Sequence, residues 1–117
     1  MAKILVVDDS PIDRQLVVDA LKDHTVQEAT DGEEAIEKAK SFKPDIVILD
    51  VVMPKKNGFE VAREIRRDEA TSGTAIVLLT SKDQESDKMW GAKQGANHYL
   101  VKPFTDAELL KVISPYT

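Results

Sequence analysis

Four short apolar runs in this sequence each end at a side chain suited to phosphate or metal chemistry. In chain order, the runs end at Asp8 and Asp9, at Asp50, at Thr80 and at Lys102. Packing alone gives an apolar strand no reason to end in a carboxylate, because a carboxylate is costly to desolvate unless it is hydrated, paired or bound to a cation. These polar ends are therefore the candidate functional residues.

The chemistry open to these residues follows from their types. Three carboxylates held close together raise one another's pKa unless a cation joins them. The chain has no cysteine and only two histidines, so such an oxygen-rich cluster favours a hard divalent ion, Mg²⁺ or Mn²⁺ in its place. An aspartate can also attack phosphorus and form an acyl phosphate. Asp50 is the candidate acceptor, with the Lys102 ammonium and the Thr80 hydroxyl as groups that could stabilise the transferred phosphoryl group.

The pattern of apolar and polar residues predicts five strands that alternate with five helices. The apolar runs 4–7, 46–49 and 75–79 predict buried strands, residues 98–101 predict a fifth strand, and the polar segment 25–30 predicts an edge strand. Helices are predicted to follow Ser10, Asp31, Gly58, Ser81 and Thr105, the fourth of them running to about Gln94.

Two helices carry specific burial predictions. In the first helix, apolar residues recur at spacings of three to five and predict one buried stripe made of Ile12, Leu16, Val17, Ala20 and Leu21. In the last helix, the residues predicted to face inward are Leu109, Leu110 and Ile113.

Strict alternation of strands and helices predicts an α/β fold with a parallel sheet between two helical layers, because parallel neighbours need crossover connections. In such a doubly wound sandwich all strands end along one edge of the sheet, which is where open α/β folds bind their ligands. Topology alone therefore predicts that the three acids, the hydroxyl and the ammonium meet at this edge.

Length and composition exclude several classes of protein. With 117 residues the chain has room for one domain. Its net charge of -5 argues against direct binding of nucleic acid or anionic membranes. The absence of cysteine is typical of a reducing cytoplasm. The first apolar run turns acidic after four residues, too soon for a signal peptide or a membrane span. We expect a cytoplasmic, single-domain monomer.

These pieces together resemble the receiver domain of bacterial two-component response regulators of the CheY type. The resemblance covers essentially the whole chain, and it is carried by Asp8-Asp9, Asp50 with Met53-Pro54 and Asn57-Gly58, Thr80, and Lys102-Pro103-Phe104. It implies a flavodoxin-like (βα)5 three-layer sandwich with strand order 2-1-3-4-5, and one receiver domain over 1–117 without an output domain. The run 90–99 is similar to stand-alone receivers of chemotaxis-like and twitching-motility pathways.

The resemblance also implies a role for each candidate residue. Asp50 would accept a phosphoryl group from a phosphohistidine on a sensor histidine kinase or a histidine phosphotransfer protein. Mg²⁺ would be bound by Asp50, directly by Asp9, through water by Asp8, and by the backbone carbonyl of Val52. Lys102 would pair with Asp50 and then with the phosphoryl oxygens. The peptide bond between Lys102 and the following proline would be cis.

By the same resemblance, Thr80 would hydrogen-bond the phosphoryl group and Tyr99 would turn inward behind it. This switch would change the surface around the fourth helix, the fifth strand and the fifth helix and so regulate a downstream protein. Such a protein is not an enzyme toward other molecules, since it catalyses only its own phosphorylation and dephosphorylation. Val52 and Lys82 depart from the best-known chemotaxis receivers, which leaves the lifetime of the acyl phosphate open.

Two other functions use similar residues on a similar sheet. An aspartate-nucleophile phosphatase of the haloacid dehalogenase kind is the main alternative, but the first strand ends Asp8-Asp9-Ser10, without a second acid two positions after the nucleophile. A flavodoxin-like electron carrier would need a phosphate-binding loop rich in serine, threonine and glycine after the first strand, and none is present there.

Overall fold

The computed structural model of the protein describes residues 1–81, 89–90 and 92–117. The strands are β1 Lys3–Val7, β2 Thr25–Ala29, β3 Ile46–Asp50, β4 Ala75–Thr80 and β5 His98–Val101. The helices are α1 Pro11–Ala20, α2 Gly32–Phe42, α3 Gly58–Arg67 and the last helix Asp106–Ile113, which runs into a 3₁₀ turn at Ser114–Tyr116. The predicted helix after Ser81 lies largely outside the described residues, and those of its residues that are described, 89, 90, 92 and 93, are helical.

The five strands form one parallel sheet in the order β2-β1-β3-β4-β5. Strands β3 and β4 are buried along their whole length, whereas in β2 only Ala29 is buried, as is typical of an edge strand. The α/β prediction, the flavodoxin-like strand order and the edge position of the polar strand are confirmed.

Two apolar clusters lie on opposite faces of this sheet. One joins the sheet to α2 and α3 and includes Leu5, Leu49, Ala35 and Ile65. The other joins it to α1 and the last helix and includes Ile48, Val17 and Leu109. The protein is thus a three-layer sandwich. None of the described helices combines the length and apolar character that crossing a bilayer requires.

The helix starts follow local capping chemistry. The Ser10 hydroxyl accepts a hydrogen bond from the Asp13 N–H, and Pro11 occupies the first turn of α1. Thr105 and Glu108 form a reciprocal capping box on the last helix. Both of these sequence predictions are confirmed.

The buried stripe predicted for α1 is wrong in part. Val17 and Leu21 are buried, but Ile12 is 75% exposed and Leu16 is 63% exposed. At 3.6 residues per turn, Ile12 and Val17 lie about 140° apart around the helix, so one sheet face cannot cover both. In the last helix, Leu109 and Ile113 are buried as predicted, but Leu110 is 40% exposed.

Candidate functional site

The ends of β1, β3, β4 and β5 bring the candidate residues to one edge of the sheet. Carboxylate oxygens of Asp8, Asp9 and Asp50 lie within 4.8 Å of one another. Asp8 and Asp50 are buried, at 1% and 8% exposure, whereas Asp9 is exposed. The convergence of three acids that the strand order predicts is therefore present.

Lys102 joins this acid cluster through its ammonium. Its Nζ lies 3.4 Å from Asp8 Oδ2, 3.3 Å from Asp50 Oδ2 and 3.1 Å from Asp13 Oδ2. Sequence reasoning missed Asp13. Asp13 is the third residue of α1, a helix that starts shortly after the end of β1. The predicted helix cap at Ser10 therefore indicated that the first turn of α1 lies at the same edge of the sheet as the three acids.

The backbone fixes the ammonium and the hydroxyl relative to Asp50. Asp50 is paired with Leu79 in the β3–β4 register, and Thr80 is the next residue of β4. The Lys102 N–H donates to the Thr80 carbonyl oxygen over 2.7 Å. Thr80 is 1% exposed, and the peptide bond that precedes Pro103 is cis, as the resemblance implies. Three neighbouring strands therefore position these three side chains.

Gly58, at the start of α3, holds the loop that follows Asp50. Its N–H donates to the Val51 carbonyl oxygen over 2.8 Å. A Cβ at this position would lie 2.5 Å from the Asp50 carbonyl oxygen and 2.8 Å from the Val51 Cα. Both contacts are with backbone, so only glycine fits. The helix begins with an unpredicted capping box between Asn57 and Glu60.

Burial and the charges gathered at this edge together raise the pKa values of both Asp50 and Lys102. Burial, together with the charge of the neighbouring Asp8, raises the pKa of Asp50 to about 6 against the opposing effect of Lys102. Burial lowers the pKa of Lys102, but the charges of Asp50, Asp13 and Asp8 outweigh it and raise that pKa overall. One ammonium therefore does not neutralise the acids around it.

The donor set fits a hard divalent cation. The clustered groups are carboxylates, with no sulfur or imidazole ligand among them, and such oxygen donors suit Mg²⁺. The raised pKa of Asp50 shows that further positive charge would be accommodated favourably here.

Two other predicted site residues, Tyr99 and Val52, have different surroundings. Tyr99 in β5 is partly buried and packs against the apolar cluster on the α2 and α3 side. The Val52 side chain is 63% exposed, and its N–H lies 3.4 Å from Asp50 Oδ1. Lys82, the other position expected to affect the phosphoryl lifetime, lies outside the described residues.

Comparison with known proteins identifies relatives over nearly the whole length. Protein PilH of Pseudomonas aeruginosa is 43% identical over 116 residues, which cover 97% of this chain and 96% of PilH. Several transcriptional regulators match over 92% of this chain but only 42% to 48% of their own length. Relatives therefore include both proteins of similar length and parts of longer regulators.

Solved structures agree with these sequence relatives. The chemotaxis response regulator CheY4 of Vibrio cholerae has a TM-score of 0.93 and 39% identity, covering 100% of this chain and 99% of CheY4. The receiver domain of the sensor histidine kinase PA1611 from Pseudomonas aeruginosa holds a magnesium ion in its active site cleft. It has a TM-score of 0.90 and 29% identity, covering 98% of this chain and 96% of that domain. The family model described as "Response regulator receiver domain" matches residues 4–114, and this chain belongs to that family.

Proposed function

We propose that this chain works as a phosphoacceptor switch in which Asp50 is the residue phosphorylated. The observation that carries the proposal is the position of the Lys102 ammonium, 3.3 Å from Asp50 Oδ2 and 3.4 Å from Asp8 Oδ2. A cation so placed meets a phosphoryl group on Asp50 without a rearrangement of the sheet. The donor is a phosphohistidine on a sensor histidine kinase or a histidine phosphotransfer protein.

The transfer needs little covalent chemistry from the protein. A carboxylate oxygen of Asp50 forms a bond to phosphorus, the phosphorus–nitrogen bond of the donor breaks, and the leaving imidazole keeps the electron pair and takes up a proton. Lys102 and the Thr80 hydroxyl stabilise the charge on the phosphoryl oxygens. The buried residues of β3 and β4 limit the approach of water to the acyl phosphate, so that water can reach it from one side only.

Mg²⁺ is the proposed cofactor of this site. Asp9 and Asp50 would bind it directly, Asp8 through water, and Val52 through its backbone carbonyl. When bound, the ion neutralises the charge that collects on the acids and phosphoryl oxygens.

Binding of Mg²⁺ to the folded state alone stabilises the protein by RT ln(1 + [L]/Kd), about 1.4 kcal/mol at tenfold excess over Kd. Millimolar Mg²⁺ should therefore raise the melting temperature of the parent, and Asp9→Ala should abolish the rise; equal melting temperatures with and without Mg²⁺ in the parent would refute the metal site.

The signal is proposed to leave the site through Thr80 and Tyr99. Movement of the Thr80 hydroxyl toward the phosphoryl group and of the Tyr99 ring inward changes the surface formed by the predicted fourth helix, β5 and the last helix. A downstream protein reads that surface. Protein loaded with beryllium fluoride, a phosphoryl stand-in, should capture this partner in a pull-down, and the bare protein should not.

We place the switch in a motility or chemotaxis pathway because PilH and CheY4 are close in sequence and length. Residues 1–117 act as one receiver domain, as a monomer in the cytoplasm and without contact to nucleic acid or membrane. The domain turns over no substrate besides its own acyl phosphate. The relatives reported above give no support to a phosphatase of the haloacid dehalogenase kind.

Labelling by a small phosphodonor tests the function directly. Acetyl phosphate with Mg²⁺ should label the protein stoichiometrically, and Asp50→Asn should prevent labelling because an amide is not a nucleophile toward phosphorus. Asp23→Asn, which removes an exposed carboxylate from the turn after α1, is the matched control and should label normally. Full labelling of Asp50→Asn, or sustained hydrolysis of phosphate esters by the parent, would overturn the proposal.

A further inference from the structure

A group of cations lies at the opposite edge of the sheet, around the end of α3. Arg63, Arg66, Arg67 and Lys93 line a surface cavity of about 410 Å³ together with Gln94 and Gly95. No carboxylate is among these lining residues. A protein of net charge -5 thus gathers four positive charges around one cavity.

Arg66 is the fixed centre of this group. Its Nε donates to the Gly95 carbonyl oxygen over 3.0 Å, and its Nη1 donates to those of Ser72 and Thr74, each over 2.6 Å. Its Nη2 donates to Asn97 Oδ1 over 2.7 Å. All four acceptors are uncharged, so they hold the guanidinium in place without neutralising its charge.

The other three cations also have no neutralising partner among the described residues. Arg63, Arg67 and Lys93 are exposed, and none of them forms an ion pair with a residue in the described part of the chain. Of the cations elsewhere, Arg14, Lys38, Lys40, Lys55 and Lys56 lie within 4.0 Å of a carboxylate, whereas Lys22 and Lys111 are exposed and have no such partner among the described residues. The α3 dipole accounts for Arg66 and Arg67 in its last turn, but it does not account for Lys93, which comes from a separate segment.

The cavity lining indicates the chemistry of its ligand. Guanidinium groups bind phosphate through paired, charge-assisted hydrogen bonds. No aromatic or aliphatic side chain is among the described residues that line the cavity, so these residues offer a nucleobase nothing to stack on and a hydrocarbon chain nothing to pack against. Protein partners usually bind through bulky side chains in well-packed pockets, and no apolar side chain is among the described residues of this lining. We propose that this cavity binds a compact polyphosphate anion, of which inorganic pyrophosphate is the simplest, through Arg63, Arg67 and Lys93 around the fixed Arg66.

Pyrophosphate titrated into the metal-free protein in the presence of EDTA tests the site without competition from the acid cluster. We expect saturable binding by calorimetry, with nuclear magnetic resonance shifts at the amides of Lys93, Gln94 and Gly95. The double variant Arg63→Gln, Arg67→Gln should weaken binding at least about tenfold, because each charge-assisted hydrogen bond is worth that much or more. Both side chains are exposed, so the fold should be retained.

The matched control removes two cations elsewhere. Lys22→Gln with Lys111→Gln changes the net charge equally on exposed residues that do not line the cavity, and should bind pyrophosphate as the parent does. Equal weakening in both double variants would show general charge attraction and overturn the proposal, as would non-saturable binding or shifts confined to the Asp50 edge. ADP separates the two sources of a diphosphate: equal affinity supports recognition of phosphate alone, and ADP binding more than tenfold tighter contradicts it.

Discussion

The two edges of the sheet each carry one cation that joins several elements, but the partners of the two cations differ in charge. At the carboxyl edge, Lys102 contacts carboxylates from β3, from α1 and from the loop after β1. At the amino edge, Arg66 contacts three backbone carbonyl oxygens and one amide oxygen. Both cations bridge segments distant in the chain, so both contribute to the assembly of the fold.

The difference in partners separates a switchable site from a permanent one. Contacts between Lys102 and carboxylates change whenever a proton, a metal ion or a phosphoryl group changes the charge at the edge. Carbonyl and amide oxygens do not titrate, so the contacts of Arg66 stay the same under all these changes. One edge is therefore suited to signalling and the other to holding β4 and β5 in register with α3.

Loss of the permanent contacts should have the largest effect. Arg66→Ala removes four hydrogen bonds and leaves partly buried carbonyl oxygens without donors, which we expect to cost about 3 kcal/mol of unfolding free energy. Urea denaturation measures this loss. Arg67→Ala, on the next residue and without a described hydrogen bond, should change stability by no more than about 0.5 kcal/mol. A cost for Arg66→Ala as small as that of the control would remove the structural distinction between the edges.

The switchable edge should respond to pH, and in a defined direction. In the metal-free protein the pKa of Asp50 is raised from 3.8 to about 6, so its protonation favours the folded state. This stabilisation is complete below pH of about 4 and is lost as the pH rises through 6. Asp50→Asn, which is neutral throughout, should therefore be more stable than the parent at pH 7.5 by about 1–2 kcal/mol, allowing for solvent screening.

Urea denaturation at several pH values in EDTA checks this sign. The advantage of Asp50→Asn should shrink toward pH 4, whereas the cost of Arg66→Ala should stay constant between pH 5 and 8. Asp23→Asn, exposed and remote, controls for the loss of one negative charge. An Asp50→Asn variant less stable than the parent at pH 7.5 would show that Lys102 already compensates the buried carboxylate.

The carboxyl edge was predictable from sequence because its signals are local. An apolar run followed by a polar residue marks a strand end, and parallel strands place such ends together. The exposed Ile12 and Leu16 were not predictable in this way. Spacing identifies an apolar helix surface, but which part of a surface wider than about 140° meets the sheet depends on how the helix is docked.

The contacts at the amino edge could hardly be predicted from the sequence. In the sequence, Arg66 is simply a basic residue in the last turn of a predicted helix. Its acceptors are mostly backbone carbonyl oxygens, and every residue type has such an oxygen. The sequence indicated only that the fourth helix ends at about Gln94, yet a Cβ at the next residue, Gly95, would lie 2.3 Å from Arg66 Cγ, and the Gly95 backbone has φ of 93°. Contacts made by backbone atoms across distant segments need the tertiary structure before they can be seen.

Removal of the Asp13 carboxylate should have the smallest effect of the changes considered, but it tests the difference between the two edges most directly. This carboxylate is 45% exposed and holds Lys102 Nζ at 3.1 Å, so it competes with an incoming phosphoryl group for the ammonium and repels an anionic donor. Asp13→Asn should therefore raise the initial rate of labelling by acetyl phosphate at saturating Mg²⁺ about twofold to fivefold, the range expected for a solvent-exposed ion pair. Asp13→Glu should restore the parent rate, and Asp19→Asn, further along the exposed face of α1, should leave it unchanged. A slower rate in Asp13→Asn would mean that Asp13 positions Lys102 for the transfer instead of withholding it.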